Sequence, residues 1–125
     1  MLKIINQFPP FLLVGLWAIF ILLVSTVGIG VNLPSTLSDI IAWDKLAHAF
    51  VYLVLCYLIY HNLIQKTSKK RAKVYALTLS IGYGILMEIV QYSFFPNRYF
   101  EFLDIFANIV GSILSIVFIY GMRYP

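Results

Sequence analysis

Apolar residues dominate this chain in four long stretches, about Phe11 to Ile29, Leu46 to Ile64, Val74 to Phe95 and Phe102 to Gly121, with polar residues confined mostly to the gaps. Each stretch has about the twenty residues that a helix rising about 1.5 Å per residue needs to cross a bilayer's hydrocarbon. None shows the broad polar face of a helix packed on a soluble core. The pattern predicts an all-α integral membrane four-helix bundle, with residues 1–125 as one domain. Two interruptions stand out: Glu88 and Gln91 late in the third stretch, and Asp104 and Asn108 early in the fourth.

The gap between the first two stretches reads "NLPSTLSDIIAW". Pro34 suits a first helical turn, and Leu37, Ile40, Ile41 and Trp43 fall on one side, so a short interfacial helix is expected there. Tyr57, Tyr60, Tyr75, Tyr120 and Tyr124 fall near one set of span ends. Trp43, Tyr92 and Tyr99 fall near the other, where amphipathic rings settle at a membrane surface.

Composition agrees. Charged residues make up 11% of the chain, against about 25% in soluble domains. The net charge of +4 is no signal for nucleic acid, because Lys66, Lys69, Lys70, Arg71 and Lys73 share one short stretch between apolar runs. Such a cluster marks a cytoplasmic loop and attracts anionic lipid. Placing it inside puts both termini inside, with seven basic residues there and only Lys45 and Arg98 outside. The first stretch is longer than the apolar region of a cleaved signal peptide, so it is read as a span. Cys56, the one cysteine, has no intramolecular partner and is assigned to packing.

With that orientation, polar groups from three spans reach one outer layer. Asp44 and Lys45 open the second span, and His48 and Tyr52 follow Asp44 at spacings of four and eight, on one helix face. Glu88 lies about 10 Å below the outer boundary by helical rise, with Gln91 beside it and Arg98 in the outer loop beyond. Glu101 and Asp104 open the fourth span, where Asp104, Asn108, Gly111 and Ser115 form a stripe whose small members permit close helix approach. A charged side chain at mid-bilayer costs about 2.5–3.5 kcal/mol on insertion scales. Glu88 therefore needs company, and Lys45, His48, Arg98, Asn108 or water in an outward-facing cavity are the expected partners. Four acidic side chains (Asp44, Glu88, Glu101, Asp104) face two basic ones there, an excess that a cationic ligand, a divalent ion or a protonated carboxyl would relieve. No His-x-x-x-His spacing is present, so no metal or other cofactor is expected, a divalent cation being the one possible exception.

The segments "DKLAHAFVY", "EIVQ" and "RYFEFLDIFANIVG", in this order, resemble the VanZ-like family of small bacterial membrane proteins. The resemblance runs from about Pro34 to the C-terminus. It carries Asp44, Lys45, His48, Tyr52, Glu88, Gln91, Arg98, Glu101, Asp104, Asn108 and Gly111 onto motif positions. The family is named for a protein associated with resistance to teicoplanin, a lipidated glycopeptide that acts on cell-wall precursors outside the membrane. The resemblance thus implies a bacterial cytoplasmic-membrane protein with its site facing outward.

Three functions fit the residues. The first is binding of an amphiphile, a lipoglycopeptide antibiotic or lipid-linked envelope precursor, by Lys45, Tyr52, Gln91, Arg98, Glu101, Asp104 and Asn108, with the tail among the helices. The second is intramembrane hydrolase or transferase chemistry on a lipid head group, in which Glu88 and His48 exchange protons, Asp44 orients His48, and Arg98 or Lys45 steadies negative charge. The third is assembly with another membrane protein through the stripe of Gly111, Ser112 and Ser115. Oligomeric state is not readable from the sequence.

Overall fold

The structure is a computed structural model that describes residues 11–27, 37–94 and 102–121, with side-chain placement for 11–25, 45–94 and 102–121. Four helices make up these residues: α1 (Leu12–Val27), α2 (Leu37–Leu63), α3 (Lys69–Phe94) and α4 (Phe102–Gly121). The all-α expectation holds. α3, α4 and the Lys45–Leu63 part of α2 are each long and apolar enough to cross a membrane. α1 has 16 residues and rises roughly 24 Å, less than the hydrocarbon thickness of about 30 Å.

Two boundaries differ from the expected ones. Residues 37–43, expected as a separate interfacial helix, are helical but run unbroken into the second span as the first turns of α2. α3 starts at Lys69 rather than Val74, because Ser68 acts as its N-cap. The Ser68 Oγ accepts a hydrogen bond from the Arg71 amide at 3.3 Å, and its carbonyl accepts one from Ala72 at 2.9 Å. The lysine-rich stretch is thus largely the first helical turn of α3.

Burial is inverted relative to a soluble bundle. Large apolar side chains such as Phe20, Leu23, Leu46, Phe50, Leu79, Phe106 and Phe118 are exposed, while Ser80, Glu88, Gln91, Asp104, Asn108, Ser112 and Ser115 are buried. A water-soluble chain would place these two sets the other way round. Here lipid covers the outside, and small or polar residues let backbones approach inside. A small apolar core of Ile21, Tyr52, Leu55, Cys56, Ile59, Ala76 and Met87 fills the remainder.

α4 packs parallel to α2 and antiparallel to α3. At its crossing with α2, a Cβ on Gly111 would lie 2.0 Å from the Ala49 carbonyl oxygen, so only glycine permits this approach. Along α3, Ser80 hydrogen bonds Ser112 at 2.7 Å. One turn on, Gly84 opens the space into which the Asn108 side chain projects. The next turn brings Glu88 toward Asp104, so each step of four forward on α3 meets a step of four back on α4. Among the hydrogen bonds that tie α1 on are Trp17 Nε1 to the Val51 carbonyl (2.8 Å), Tyr83 Oη to the Ala18 carbonyl (2.6 Å) and Gln91 Nε2 to the Ser25 carbonyl (2.9 Å). At the lysine-rich end, Lys66 Nζ lies over the Phe11 ring at 4.2 Å and Lys73 Nζ over Tyr120 at 3.4 Å. The start of α1, the end of α4 and the turn before α3 therefore share one end of the bundle.

Candidate functional site

The register set at Gly111 decides what meets at the opposite end. Because α2 and α4 run parallel, His48 falls beside Asn108 and Lys45 beside Asp104. His48 Nδ1 lies 3.2 Å from Asn108 Oδ1, a hydrogen-bond contact whose donor is set by the histidine tautomer. That leaves Nε2 facing Asp104 Oδ2 at 3.7 Å. The other Asp104 oxygen, Oδ1, pairs with the Lys45 ammonium. Glu88 completes the group from α3: its carboxylate, the His48 ring and the Asp104 carboxylate each bring a ligand-type atom within 4.8 Å of the others.

Three helices thus meet through one cluster of five polar side chains. Glu88 and Asn108 are 2% and 1% exposed, whereas the side chains of Lys45 and His48 retain 21% and 19%. Among the described residues of the cluster, Lys45 and His48 form its more exposed edge. Buried charges persist only when paired or hydrogen bonded, and the Lys45 ammonium meets that requirement for Asp104. His48, Glu88 and Asp104 are also the residue types that hold a divalent ion.

The expected site residues divide accordingly. Lys45, His48, Glu88, Asp104 and Asn108 are gathered. Tyr52 is buried next to them, its ring near Gly84 and 6.5 Å from that of Tyr83. Gln91 is buried, but its amide is directed to the Ser25 carbonyl of α1, a tie between helices. The side chain of Asp44 and all of Arg98 and Glu101 lie outside the described residues; the backbone of Asp44 belongs to α2. In the described part, the carboxylates beside His48 are those of Asp104 and Glu88. The stripe of Gly111, Ser112 and Ser115 is turned into the bundle, against Ala49 and Ser80, so this face is not free for another protein.

Sequence reasoning missed the stripe that α3 presents in return. Ala72, Ala76, Ser80, Gly84 and Glu88 recur every four residues and all are buried. The signal was the same small-residue spacing read on α4. Also missed was an apolar cavity of about 270 Å³ between α1, α2 and α3, lined by Phe11, Val14, Ala18, Leu55, Ile59 and Tyr83 among others. It lies toward the lysine-rich end, with the Tyr52–Tyr83 pair between it and the polar cluster.

No curated protein and no solved structure matches the chain. A family model does: that of VanZ/LLP1 matches residues 8–123. With helices of membrane-crossing length and a match over nearly its whole length, the chain is a membrane protein that belongs to the VanZ/LLP1 family.

Proposed function

We propose that this chain binds the polar head of an amphiphile, such as a lipoglycopeptide antibiotic or a lipid-linked cell-envelope precursor, at the Lys45–His48 edge of the polar cluster. The observation that carries this reading is the convergence of ionisable side chains from α2, α3 and α4 on one buried layer. Such groups are costly inside a membrane and mark ligand or ion sites. Lys45 supplies a cation for a phosphate or carboxylate, and the apolar cavity beyond Tyr52 and Tyr83 accepts part of a tail. The chain sits in the bacterial cytoplasmic membrane as a four-pass protein, with the lysine-rich turn and both termini cytoplasmic and the polar cluster toward the outer leaflet. Binding of teicoplanin and of a polyprenyl diphosphate to the protein in nanodiscs tests the proposal. Lys45→Ala should weaken one of them about tenfold while the exposed Thr78→Ala leaves it unchanged. No measurable binding of either ligand, or equal affinity in both variants, rejects the reading.

The proximity of His48, Glu88 and Asp104 favours one second reading, proton-transfer chemistry on the head group, with Asp104 in the orienting role expected of Asp44. It predicts that Glu88→Gln and His48→Ala abolish turnover while head-group affinity stays nearly intact, since a group acting only in the transition state contributes to rate rather than binding. Equal loss of both leaves binding alone.

A further inference from the structure

We propose that His48, Glu88 and Asp104 form a site for one first-row divalent cation, bound by His48 Nε2 and one oxygen from each carboxylate. The sequence offers a divalent ion only as one way to relieve an acidic excess and shows no ligand motif, because the three ligands come from three helices. Two independent features of the geometry point to an ion.

The first is the donor set. One imidazole and two carboxylates present ligand atoms within 4.8 Å of one another in a buried layer. Two donors that each bind an ion at about 2.0–2.2 Å lie roughly 3–4 Å apart, and Nε2 and Asp104 Oδ2 are separated by 3.7 Å. That is longer than a hydrogen bond of about 2.7–3.2 Å.

The second is the orientation of the imidazole. His48 Nδ1 lies 3.2 Å from the Asn108 side-chain amide, and the ring held there turns Nε2 toward Asp104 Oδ2 at 3.7 Å, the spacing of two donors on one ion. Asn108 here has the part that an outer hydrogen-bond partner has at a metal-bound histidine, fixing the ring angle. Lys45 does the same for Asp104. Its ammonium engages Oδ1, and Oδ2 is the oxygen turned toward His48.

The ligand chemistry selects the ion class. Imidazole with carboxylates suits Zn²⁺, Mn²⁺ or Fe²⁺ better than Ca²⁺ or Mg²⁺, which take all-oxygen sets. With Lys45 and a neutral His48, a divalent ion makes the cluster net positive by one charge. An anionic group entering over the Lys45–His48 edge, such as a phosphate, would fill an open coordination position. The cation site does not require that ligand, and its measurement omits it, so failure of either proposal leaves the other standing.

The test uses the full chain in nanodiscs, stripped with chelator and titrated with Mn²⁺ alone. The expected result is one tightly bound Mn²⁺ per chain whose pulsed electron paramagnetic resonance signal carries the modulation of a single imidazole nitrogen. His48→Ala should remove that modulation, Glu88→Gln and Asp104→Asn should each weaken binding at least about tenfold, and Thr78→Ala should change nothing. Where a variant does not fold, nitrogen NMR of His48 in the wild-type chain keeps the test decisive. An Nε2 resonance that shifts on addition of Zn²⁺ supports the site. A doubly protonated ring that ignores Zn²⁺, or no stoichiometric Mn²⁺, overturns it and makes the cluster a closed network of ion pairs.

Discussion

Gly111 of α4 lies so close to Ala49 of α2 that an added Cβ would come within 2.0 Å of the Ala49 carbonyl oxygen and 2.8 Å of its carbon. The obstacle is helical backbone, which cannot rotate away as a side chain tip would. Gly111→Ala is therefore expected to force α2 and α4 apart and cost more than about 2 kcal/mol, at the upper end of overpacking effects. Gly82, with nothing within 4 Å of the same position, is the control. Gly82→Ala should be neutral or stabilise by up to about 1 kcal/mol through helix propensity. Reversible unfolding of both variants in mixed detergent micelles measures the contrast.

A milder clash is expected at Gly84, where a Cβ would meet Asn108 Nδ2 at 2.8 Å and Tyr52 Cε1 at 3.2 Å. An amide at the end of a side chain can shift, so Gly84→Ala should cost about 1–2 kcal/mol. The displaced amide would release His48 Nδ1, and the nitrogen NMR signature of His48 should change with no substitution in the cluster itself. An unaltered signature would mean that Asn108 does not hold the ring.

Much of this arrangement was open to a reader of the residues alone. The apolar runs located all four helices and, apart from the early starts of α2 and α3, their ends within a few residues, since span length follows from bilayer thickness. The spacing of Asp104, Asn108 and Gly111 identified the inner face of α4. Helix register was not legible, because it is decided by backbone approach at Gly111 and Gly84 rather than by any pairing visible along the chain. Gln91 shows the same limit: its partner is the Ser25 carbonyl, and a backbone carbonyl has no sequence signature. The early start of α3 was missed because basic residues were read as loop, although Ser68 ahead of them is a good N-cap.

Lys45 and Asp104 provide a test of pairing. Removing the ammonium leaves a nearly buried carboxylate with less compensation, a loss of roughly 1.5–3 kcal/mol for a hydrogen bond to a charged group. Lys45→Met should therefore destabilise the bundle, and Lys45→Met combined with Asp104→Asn should recover part of that loss. A double-mutant cycle from detergent unfolding gives the coupling. If the two losses simply add, the pair contributes nothing of its own.

The attachment of α1 makes the last prediction. Its polar ties to the other helices include those of Trp17, Tyr83 and Gln91, each reaching a backbone carbonyl, and each is worth on the order of 1 kcal/mol in a membrane protein. The apolar cavity lies on the same seam, with Phe11, Val14 and Ala18 of the first segment forming one wall. Tyr83→Phe keeps the ring and deletes the hydroxyl, so combining it with Trp17→Phe should loosen α1 without disturbing the α2–α3–α4 register. Hydrogen exchange should then speed up in residues 12–25 while the amides around His48 and Asn108 keep their protection. Faster exchange throughout would show that α1 is integral to the bundle core. A selective change would make it a side wall packed on a three-helix core.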